Sequence, residues 1–361
     1  MRRRNISGET GGAAKALLDW YDRNGRSLPW RTRPGNKPDV YRVWLSETML
    51  QQTQVATVRP YYRNFIKKWP NLTQLAKANR DDVLRCWAGL GYYARARNLY
   101  ACAQILVSKH NGVFPDKEES LRSLPGIGSY TAAAIMAIAY DRPAVVVDGN
   151  VARIMARLYK VEKPIQESRP KLQKLAACHS PQHRPGDYAQ AIMDLGAVVC
   201  TPRSPNCTEC PWSNFCEAHA TGTPENWPRR KPTARKPQYY GVVFWIERSD
   251  GAIALRRRPD KGILGGMLEV PNSGWQDRPL SENFIDAQSP IKTEWVVIPG
   301  LVRHSFTHFN LELTIFAGRA EKAPNGTFWC QKRDIESQAL PSLMRKVVTL
   351  VQTTGMNLQK Y

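Results

Sequence analysis

Two kinds of hydrophobic spacing divide the chain into a long first part and a shorter second part. Over most of residues 13–220, apolar residues recur every three to four positions, with Pro and Gly between the runs, which predicts helices. In chain order, the predicted helices are Ala13–Tyr21, Val43–Val58, Asp81–Trp87, Tyr93–Lys109, Tyr130–Ala139, Val151–Val161 and Tyr188–Val199.

Beyond residue 237 the pattern is typical of strands, with short runs of β-branched and aromatic residues between turn signals. A closing helix is predicted at Ser337–Val351. Between the two parts, residues 221–237 hold four prolines and a basic run with almost nothing to bury, and we expect a linker there. We therefore expect a helical domain (1–220), this linker, and a smaller α+β domain (238–361). The predicted strands are Tyr239–Ile246, Ala252–Arg257, Trp295–Leu301 and Leu311–Ala317.

The charge of the chain indicates a polyanionic partner. Its 361 residues include 52 Lys and Arg against 31 Asp and Glu, a formal net charge of +21, and nucleic acid is the commonest partner of so basic a protein. The longest apolar run, Ala132–Tyr140, is half of what a membrane span needs. The basic start, Met1–Asn5, has no apolar segment behind it, so no signal peptide is expected. These features predict a soluble protein of the cytoplasm.

Four of the eight cysteines form a cluster with the spacing C-x6-C-x2-C-x5-C. In a reducing compartment such a cluster favours metal ligation over disulfides. Four thiolates suit either a tetrahedral zinc ion or an iron–sulfur cluster, and the spacing alone does not choose between them. The four are Cys200, Cys207, Cys210 and Cys216.

A Pro-Gly-x-Gly hairpin lies just before one of the predicted helices, in the segment Leu124–Ala132. Gly126 and Gly128 permit backbone angles that turn successive N–H groups outward at a helix N-terminus, which suits a phosphate. A plain connection between two helices explains the hairpin about equally well.

Two acids precede or begin predicted helices. Asp148, in Val145–Val151, is by itself best explained as an N-cap, and Glu47, in Trp44–Thr53, as a partner of the helix dipole. The amides of Gln51 and Gln52 follow Glu47, and adjacent uncharged amides can hydrogen-bond base edges.

Together, the hairpin, the Val-Asp-Gly-Asn segment and the four-cysteine loop resemble the helix-hairpin-helix DNA glycosylases of the endonuclease III superfamily. Ser46–Thr53, Leu28–Arg31 and Gly89–Tyr93 resemble its adenine-specific branch, the MutY family. The resemblance runs from about Leu17 to Cys216 and continues weakly to the C-terminus. It implies an all-α helix-hairpin-helix domain whose cysteines hold a [4Fe–4S] cluster, followed by a smaller α+β domain.

One position separates two chemistries within that superfamily. Its strand-cutting members carry a lysine two residues after the second glycine of the hairpin, and the lysine amine attacks the sugar. Here the residue is Tyr130, which cannot form an imine. We therefore expect the base to be removed by hydrolysis, which leaves an abasic site.

The resemblance also implies roles for single residues. Glu47 would protonate adenine, which requires a pocket that raises the pKa of its carboxyl, whereas Asp148 would stay ionised and stabilise the sugar cation. Asn150 and Tyr130 would orient Asp148. The residues expected to contact DNA or the extruded base are Arg31, Gln51, Gln52, Tyr92, Gly126, Gly128 and Gln190, with Gln52 and Tyr92 as wedges.

Adenine is a normal base, so its removal requires a second reader on the opposite strand. Phe306, Thr307 and His308 resemble the family's loop that inspects 8-oxoguanine, except that serine is more usual at the position of Thr307. Leu264–Pro271 resembles the start of the Nudix active region, but the metal-binding Arg-Glu-x-x-Glu-Glu pattern does not follow. This Nudix-like domain is therefore predicted to recognise the lesion rather than to hydrolyse nucleotides.

Together with Tyr130, the resemblance implies a monomeric, monofunctional glycosylase of base excision repair that removes adenine and is associated with the nucleoid when bound. Its substrate would be double-stranded DNA with adenine opposite 8-oxoguanine or, secondarily, guanine. A glycosylase for mismatched thymine or for oxidised pyrimidines is the alternative enzyme. The alternative outside enzymes is a metal-stapled DNA-binding or scaffold protein.

Overall fold

The structure, a computed structural model, describes residues 10–32, 36–232 and 234–354. The basic segment Met1–Asn5 lies outside the described residues. The described part of the chain divides into two compact units: Met1–Lys77 with Ala101–Thr233, and Ala78–Tyr100 with Ala234–Tyr361. No pattern in the sequence predicted that residues 78–100 would group with the second unit. The boundaries expected at 220 and 238 stay a prediction.

Helices make up nearly all regular structure before residue 221, as the hydrophobic spacing predicted. They are α1 (Thr10–Asn24), α2 (Val40–Leu50), α3 (Val55–Lys68), α4 (Leu72–Ala76), α5 (Arg80–Trp87), α6 (Ala94–Lys109), α7 (Glu118–Arg122), α8 (Ser129–Ala134), α9 (Gly149–Leu158), α10 (Arg169–Ala177), α11 (Pro185–Asp194) and α12 (Glu217–Ala220). Two π-helical turns, Ile135–Ala139 and Leu195–Val199, continue α8 and α11. No described helix is both long enough and apolar enough to cross a membrane.

The single helix predicted for Val43–Val58 is wrong, because the structure breaks it in the middle. α2 ends at Leu50, α3 begins at Val55, and Gln52 between them adopts the left-handed conformation with φ of 57°. Neither Pro nor Gly marks this break in the sequence. Non-glycine residues rarely adopt positive φ, and such residues concentrate at functional sites.

The hydrophobic core of the first unit is built on α9 and α11. All residues of α9 from Val151 to Leu158 are buried. Two glycines let α11 and its π-turn approach their neighbours closely: a Cβ on Gly186 would lie 2.6 Å from the Ala137 carbonyl oxygen. A Cβ on Gly196 would lie 2.5 Å from Cβ of Asn150. The packing of α11 therefore depends on the absence of side chains at these two positions.

The segment predicted as a linker buries more than its composition suggests. The side chain of Trp227 is only 4% exposed, and Arg229 and Lys231 form ion pairs with Glu162 and Glu167. The guanidinium of Arg229 also lies over the Trp227 ring, 4.7 Å from its centroid. This part of the segment is therefore packed on the first unit, which a count of its prolines and charges could not reveal.

The second unit contains a six-stranded mixed sheet. Its strands are β1 (Gln238–Glu247), β2 (Ile253–Arg257), β3 (Leu268–Glu269), β4 (Val296–Ser305), β5 (Asn310–Arg319) and β6 (Thr327–Cys330). The order is β3-β2-β1-β5-β4, with β6 paired to β2; β1 and β5 are parallel, and the other pairs are antiparallel. Helices α13 (Glu282–Gln288) and α14 (Ser342–Thr353) complete an α+β fold, as predicted.

Candidate active site

Glu47 is a buried acid in the last turn of α2, so its interpretation as a partner of the helix dipole in a first turn was wrong. Its side chain belongs to a set of eight buried residues on that helix and is only 5% exposed. Burial raises the pKa of the Glu47 carboxyl to about 7, and the negative charge of Asp148 acts in the same direction. The hydrogen bond from Tyr130 and the positive charge of Arg31 oppose this rise. Burial of Glu47 therefore provides the kind of pocket that a proton donor at this position needs.

Tyr130, at the start of α8, is bonded directly to Glu47. Its hydroxyl donates to Glu47 Oε2 at 2.6 Å and lies 3.4 Å from the sulfur of Met193. Burial and the charge of Glu47 raise the pKa of Tyr130 well above its usual value, so the side chain stays a neutral donor. The expectation that Tyr130 orients Asp148 is not what the hydrogen bonds show, because its hydroxyl is bonded to Glu47 instead.

Asp148 caps the N-terminus of α9, as its position in the sequence suggested. Its Oδ1 accepts from the backbone N–H of Val151 at 2.7 Å, and its Oδ2 accepts from the Asn150 amide at 3.0 Å. Burial raises the pKa of the Asp148 carboxyl, and these donors oppose the rise because they stabilise the charged form. Asn150 therefore holds Asp148 in place, as expected. The cap does not exclude a chemical role.

Arg153 connects this carboxyl to the cysteine loop, and sequence reasoning missed it. The guanidinium donates to Asn150 Oδ1 at 2.8 Å, to the Gly196 carbonyl at 2.7 Å and to the Cys200 carbonyl at 2.9 Å. Its place three residues after Asn150 on a helix was the available signal, since residues at that spacing face each other.

Arg31 is held by a buried carboxylate that the sequence did not single out. Its two terminal nitrogens donate to both oxygens of Asp194, each at 2.6 Å, and Asp194 is 0% exposed. The hydrogen bonds and charge of Arg31 hold the pKa of the Asp194 carboxyl below its usual value despite burial. Arg31 lies in the same unit as Glu47. Most of its N–H donors already bond groups within the protein.

The two amides of the predicted DNA contact differ in their surroundings. Gln51 donates to Thr131 Oγ1 at 3.1 Å, whereas Gln52 is exposed in its left-handed conformation. Gln190, on α11, is half-buried and donates to the carbonyl of Gly186 at 3.3 Å. Gln52 therefore has the more accessible side chain.

In the Pro-Gly-x-Gly hairpin, Gly126 adopts a backbone angle that favours glycine, whereas Gly128 is extended with φ of −87°. Gly126 has φ of 77°, Gly128 directly precedes α8, and Ile127 between them is buried. Within the residues that the structure describes, the N–H groups of Gly126 and Gly128 find no acceptor. They remain available to an acceptor outside the protein, such as a phosphate oxygen.

In the second unit, Thr307 and His308 form the exposed tip of the β4–β5 hairpin. The N–H of Phe306 donates to the carbonyl of Phe309 at 2.8 Å and closes the turn, and the two rings pack 4.7 Å apart. In the same unit, Tyr92 is 47% exposed with a φ of 48°, and its hydroxyl lies 3.0 Å from Thr307 Oγ1. Two residues predicted from separate motifs are therefore in contact.

Glu269, in the segment that resembles the Nudix active region, is buried and neutralised. Its carboxylate is 2% exposed and is paired with Arg256 and Arg258. Both oxygens are therefore engaged by guanidinium groups.

The four clustered cysteines line one cavity of the first unit. Within the described residues, no group of three or more His, Cys, Asp or Glu side chains is arranged to hold a single metal ion. Four cysteine thiols that line one cavity are the donor set that an iron–sulfur cluster takes. Arg157, 1% exposed, lies 3.2 Å from Cys200 Sγ and donates to the Trp227 carbonyl at 2.9 Å.

Comparison with known protein families agrees with each part of this architecture. Residues 45–178 match the model of the HhH-GPD superfamily of base excision DNA repair proteins, and residues 242–350 match that of the NUDIX domain. Residues 200–216 match the iron–sulfur binding domain of endonuclease III. This match shows that the chain holds a [4Fe–4S] cluster, and the cysteines within the matched residues that would bind it are Cys200, Cys207, Cys210 and Cys216.

Relatives match along nearly the whole chain. An adenine DNA glycosylase of Buchnera aphidicola subsp. Schizaphis graminum is 38% identical over 93% of this chain and 98% of its own. The human adenine DNA glycosylase is 33% identical over 93% of this chain and 73% of its own. Among solved structures, a thermostable thymine-DNA glycosylase is 25% identical, covers 60% of this chain and 100% of its own, and has a TM-score of 0.54.

The thymine-DNA glycosylase matches over 60% of this chain, whereas the two relatives above match over 93% of it. The position of Glu47 beside Tyr130, the four-cysteine loop and the Nudix-like sheet occur together in one chain. The identity to adenine DNA glycosylases extends over both parts of the chain. The protein therefore belongs to the adenine DNA glycosylase family.

Proposed function

We propose that this chain removes adenine from double-stranded DNA by hydrolysing its N-glycosidic bond, opposite 8-oxoguanine and, secondarily, opposite guanine. The relatives named above support adenine as the base. The observation that carries the chemistry is the contrast between two carboxyl groups of one unit. Burial raises the pKa of both carboxyls, to about 7 for Glu47, but both oxygens of Asp148 accept hydrogen bonds that favour its ionised form.

Glu47 acts as the proton donor in this proposal. Its carboxyl gives a proton to the adenine ring, at N7, so that the electron pair of the glycosidic bond leaves with a neutral base. The Tyr130 hydroxyl then stabilises the Glu47 carboxylate through the 2.6 Å hydrogen bond that is already in place. A pKa near the working pH suits a group that must give up its proton in each turnover.

Asp148 stabilises the positive charge that develops on the sugar. An ionised carboxylate below the ring serves this purpose, and water completes the hydrolysis. The Val151 N–H and the Asn150 amide favour the ionised form of Asp148 and fix its direction. Both catalytic acids are therefore placed by hydrogen bonds within the protein.

The chain is proposed to be monofunctional. Cleavage of the strand needs an amine that forms a Schiff base with the sugar, and the position of that amine in strand-cutting relatives is occupied by Tyr130. Because the Tyr130 hydroxyl donates a hydrogen bond to Glu47, it stabilises the carboxylate of Glu47 and does not act as a nucleophile.

The remaining predicted residues are proposed to contact DNA. The free N–H groups at Gly126 and Gly128 bind a phosphate of the strand that carries adenine. The exposed, left-handed Gln52 and Tyr92 enter the gap that the extruded base leaves, and the tip Phe306–His308 reads the opposite base. Gln51, Arg31 and Gln190 border the pocket for the base. The chain works as a monomer, on the DNA of the nucleoid.

The test is single-turnover release of the base from four duplexes, with adenine opposite 8-oxoguanine, guanine or thymine, and thymine opposite guanine. The proposal expects fast release of adenine opposite 8-oxoguanine, slower release opposite guanine, and strand breaks only after alkali. Breaks without alkali, or release of thymine, would contradict it. Asp148→Asn should bind the same duplex without releasing adenine, which separates an enzyme from a DNA-binding protein.

A further inference from the structure

Two consecutive residues at the end of α11 contact Tyr130, which is bonded to Glu47, and Arg31, whose charge acts on Glu47. The sulfur of Met193 lies 3.4 Å from the Tyr130 hydroxyl, and Asp194 pairs with Arg31. The π-helical turn that follows brings Gly196 against Asn150. One end of one helix therefore supports the surroundings of both proposed catalytic acids.

Asp194 is the centre of a closed set of hydrogen bonds. Its Oδ1 accepts from Arg31 Nη2 at 2.6 Å and from Arg26 Nε at 2.7 Å. Its Oδ2 accepts from Arg31 Nη1 at 2.6 Å and from the backbone N–H of Arg26 at 2.8 Å. A fully buried carboxylate with four donors fixes the segment between Arg26 and Arg31 to α11.

The location of Arg31 matters because its positive charge acts on Glu47. The groups that act on it come from three elements: Tyr130 from α8, Asp148 before α9, and Arg31 before α2. Of these three, Arg31 alone is positive. Burial and Asp148 favour the protonated form of Glu47, whereas Arg31 and the Tyr130 hydroxyl favour its carboxylate, which is the form left after proton transfer.

The fork geometry explains why a carboxylate is needed at the position of Asp194. A guanidinium that bonds a carboxylate through two nitrogens is fixed in orientation as well as in place. Arg31 is also bonded to the Arg26 carbonyl at 3.1 Å, and its side chain is only 10% exposed. Without Asp194, the partly buried guanidinium groups of Arg26 and Arg31 would lose their shared partner and would repel each other.

We propose that Asp194 is a positioning residue for base excision: it fixes the Arg31 guanidinium near Glu47 and thereby assists the transfer of the proton from Glu47 to the base. This inference rests on the proposed function, in which Glu47 is the proton donor. Asp194 does not touch the substrate and acts only through Arg31.

A double-mutant cycle tests the inference with the full-length protein carrying its cluster. Single-turnover release of adenine opposite 8-oxoguanine is measured against pH for wild type, Arg31→Met, Asp194→Asn and the double variant. If Asp194 acts through Arg31, each single variant loses about 10²-fold in rate and the double variant is no slower than Arg31→Met. Loss of the correctly placed positive charge should also move the alkaline limb of the profile to higher pH in all three variants.

Two further variants keep the test decisive. Asp187→Asn removes a carboxylate from the same helix, where it forms an exposed ion pair with Arg184, and it should leave the rate and the pH limb unchanged. If Asp194→Asn does not fold, Arg31→Lys keeps the charge but loses the fork, and a slower rate is then expected. An unchanged rate in Arg31→Lys would overturn the inference.

Failure of the inference can be told apart from failure of the proposed function. The role of Asp194 alone would be overturned if the double variant lost the product of the two single rate losses. The same would follow if Asp194→Asn were slower but kept the alkaline limb of its pH profile in place. Full adenine release by Glu47→Gln would overturn the assignment of the proton donor, and both proposals with it. Inactive Glu47→Gln with a non-additive cycle supports both.

Discussion

The hydroxyl of Tyr130 and the carboxyl of Glu47 are 2.6 Å apart inside the first unit. In strand-cutting relatives, the position of Tyr130 holds the reactive amine. In this chain, the residue at that position is bonded to Glu47, which we propose as the acid. Substitution at one position thus affects two properties at once, namely which chemistry follows base release and how readily Glu47 gives up its proton.

Tyr130→Phe removes the donor that favours the carboxylate of Glu47. The pKa of Glu47 should then rise above about 7, and the alkaline limb of the excision rate should move up by about one pH unit, the equivalent of one hydrogen bond to a charged group. A single-turnover pH profile measures this shift. Tyr188→Phe is the matched control, because the buried Tyr188 hydroxyl has no partner within the described residues. A limb that stays in place in Tyr130→Phe would contradict the prediction.

Glu47 should lower the stability of the folded protein above acidic pH. Its pKa is raised from 4.5 to about 7, so the unfolded chain ionises first and the free energy of unfolding falls as pH rises through this window. Glu47→Gln removes this loss and should raise the free energy of unfolding at pH 8 by up to about 3 kcal/mol, with little change at pH 4. Melting temperatures at both pH values measure the effect.

The exposed carboxylate of Glu294 provides the comparison for that measurement, since Glu294→Gln should show no gain at pH 8. If Glu47→Gln raised the free energy of unfolding equally at both pH values, the cause would be a difference in packing between glutamine and glutamate rather than ionisation.

Gly196→Ala should impair excision more than DNA binding. The new Cβ would lie 2.5 Å from Cβ of Asn150 and would displace the amide that holds Asp148. We expect a loss of about 10²-fold in the rate of adenine release. Overpacking should also cost about 1–3 kcal/mol of stability. Gly12→Ala is the control, since nothing lies within 4 Å of its Cβ. Wild-type excision by folded Gly196→Ala would refute the prediction.

The hydroxyl of Thr307, rather than its methyl group, should determine recognition of the opposite base. Thr307→Val keeps the shape and removes the contact with Tyr92, whereas Thr307→Ser keeps the hydroxyl that forms it. The rate ratio for adenine opposite 8-oxoguanine and opposite guanine should fall about fivefold in Thr307→Val, the value of one neutral hydrogen bond, and stay unchanged in Thr307→Ser. The reverse order of the two variants would assign the effect to the methyl group.

Local patterns predicted most of the longer helices and strands and the features of the site that depend on residues close together in sequence. The cap formed by Asp148 and the glycine hairpin are examples. The break after α2 escaped prediction, since Gln52 adopts a positive φ that no glycine signals.

Contacts between distant segments could not be predicted in the same way. Arg31 and Asp194 are separated by 163 residues, and no local pattern indicates that one carboxylate on an apolar helix binds a particular arginine. Trp227 lies in a stretch of prolines and charges, yet it is buried because the first unit offers it a place to pack. Tyr92 and Thr307, 215 residues apart, were predicted separately and meet only in the folded unit.

The N-cap formed by Asp148 has a consequence for a cell that carries an altered copy of this chain. Asparagine caps a helix as well as aspartate does, so Asp148→Asn should fold, accumulate and occupy its lesions at normal levels. Alanine at the same position would lose the cap and reduce the amount of protein. The asparagine form would therefore compete with an intact copy for the same sites and shield them from repair, whereas the alanine form would simply be depleted.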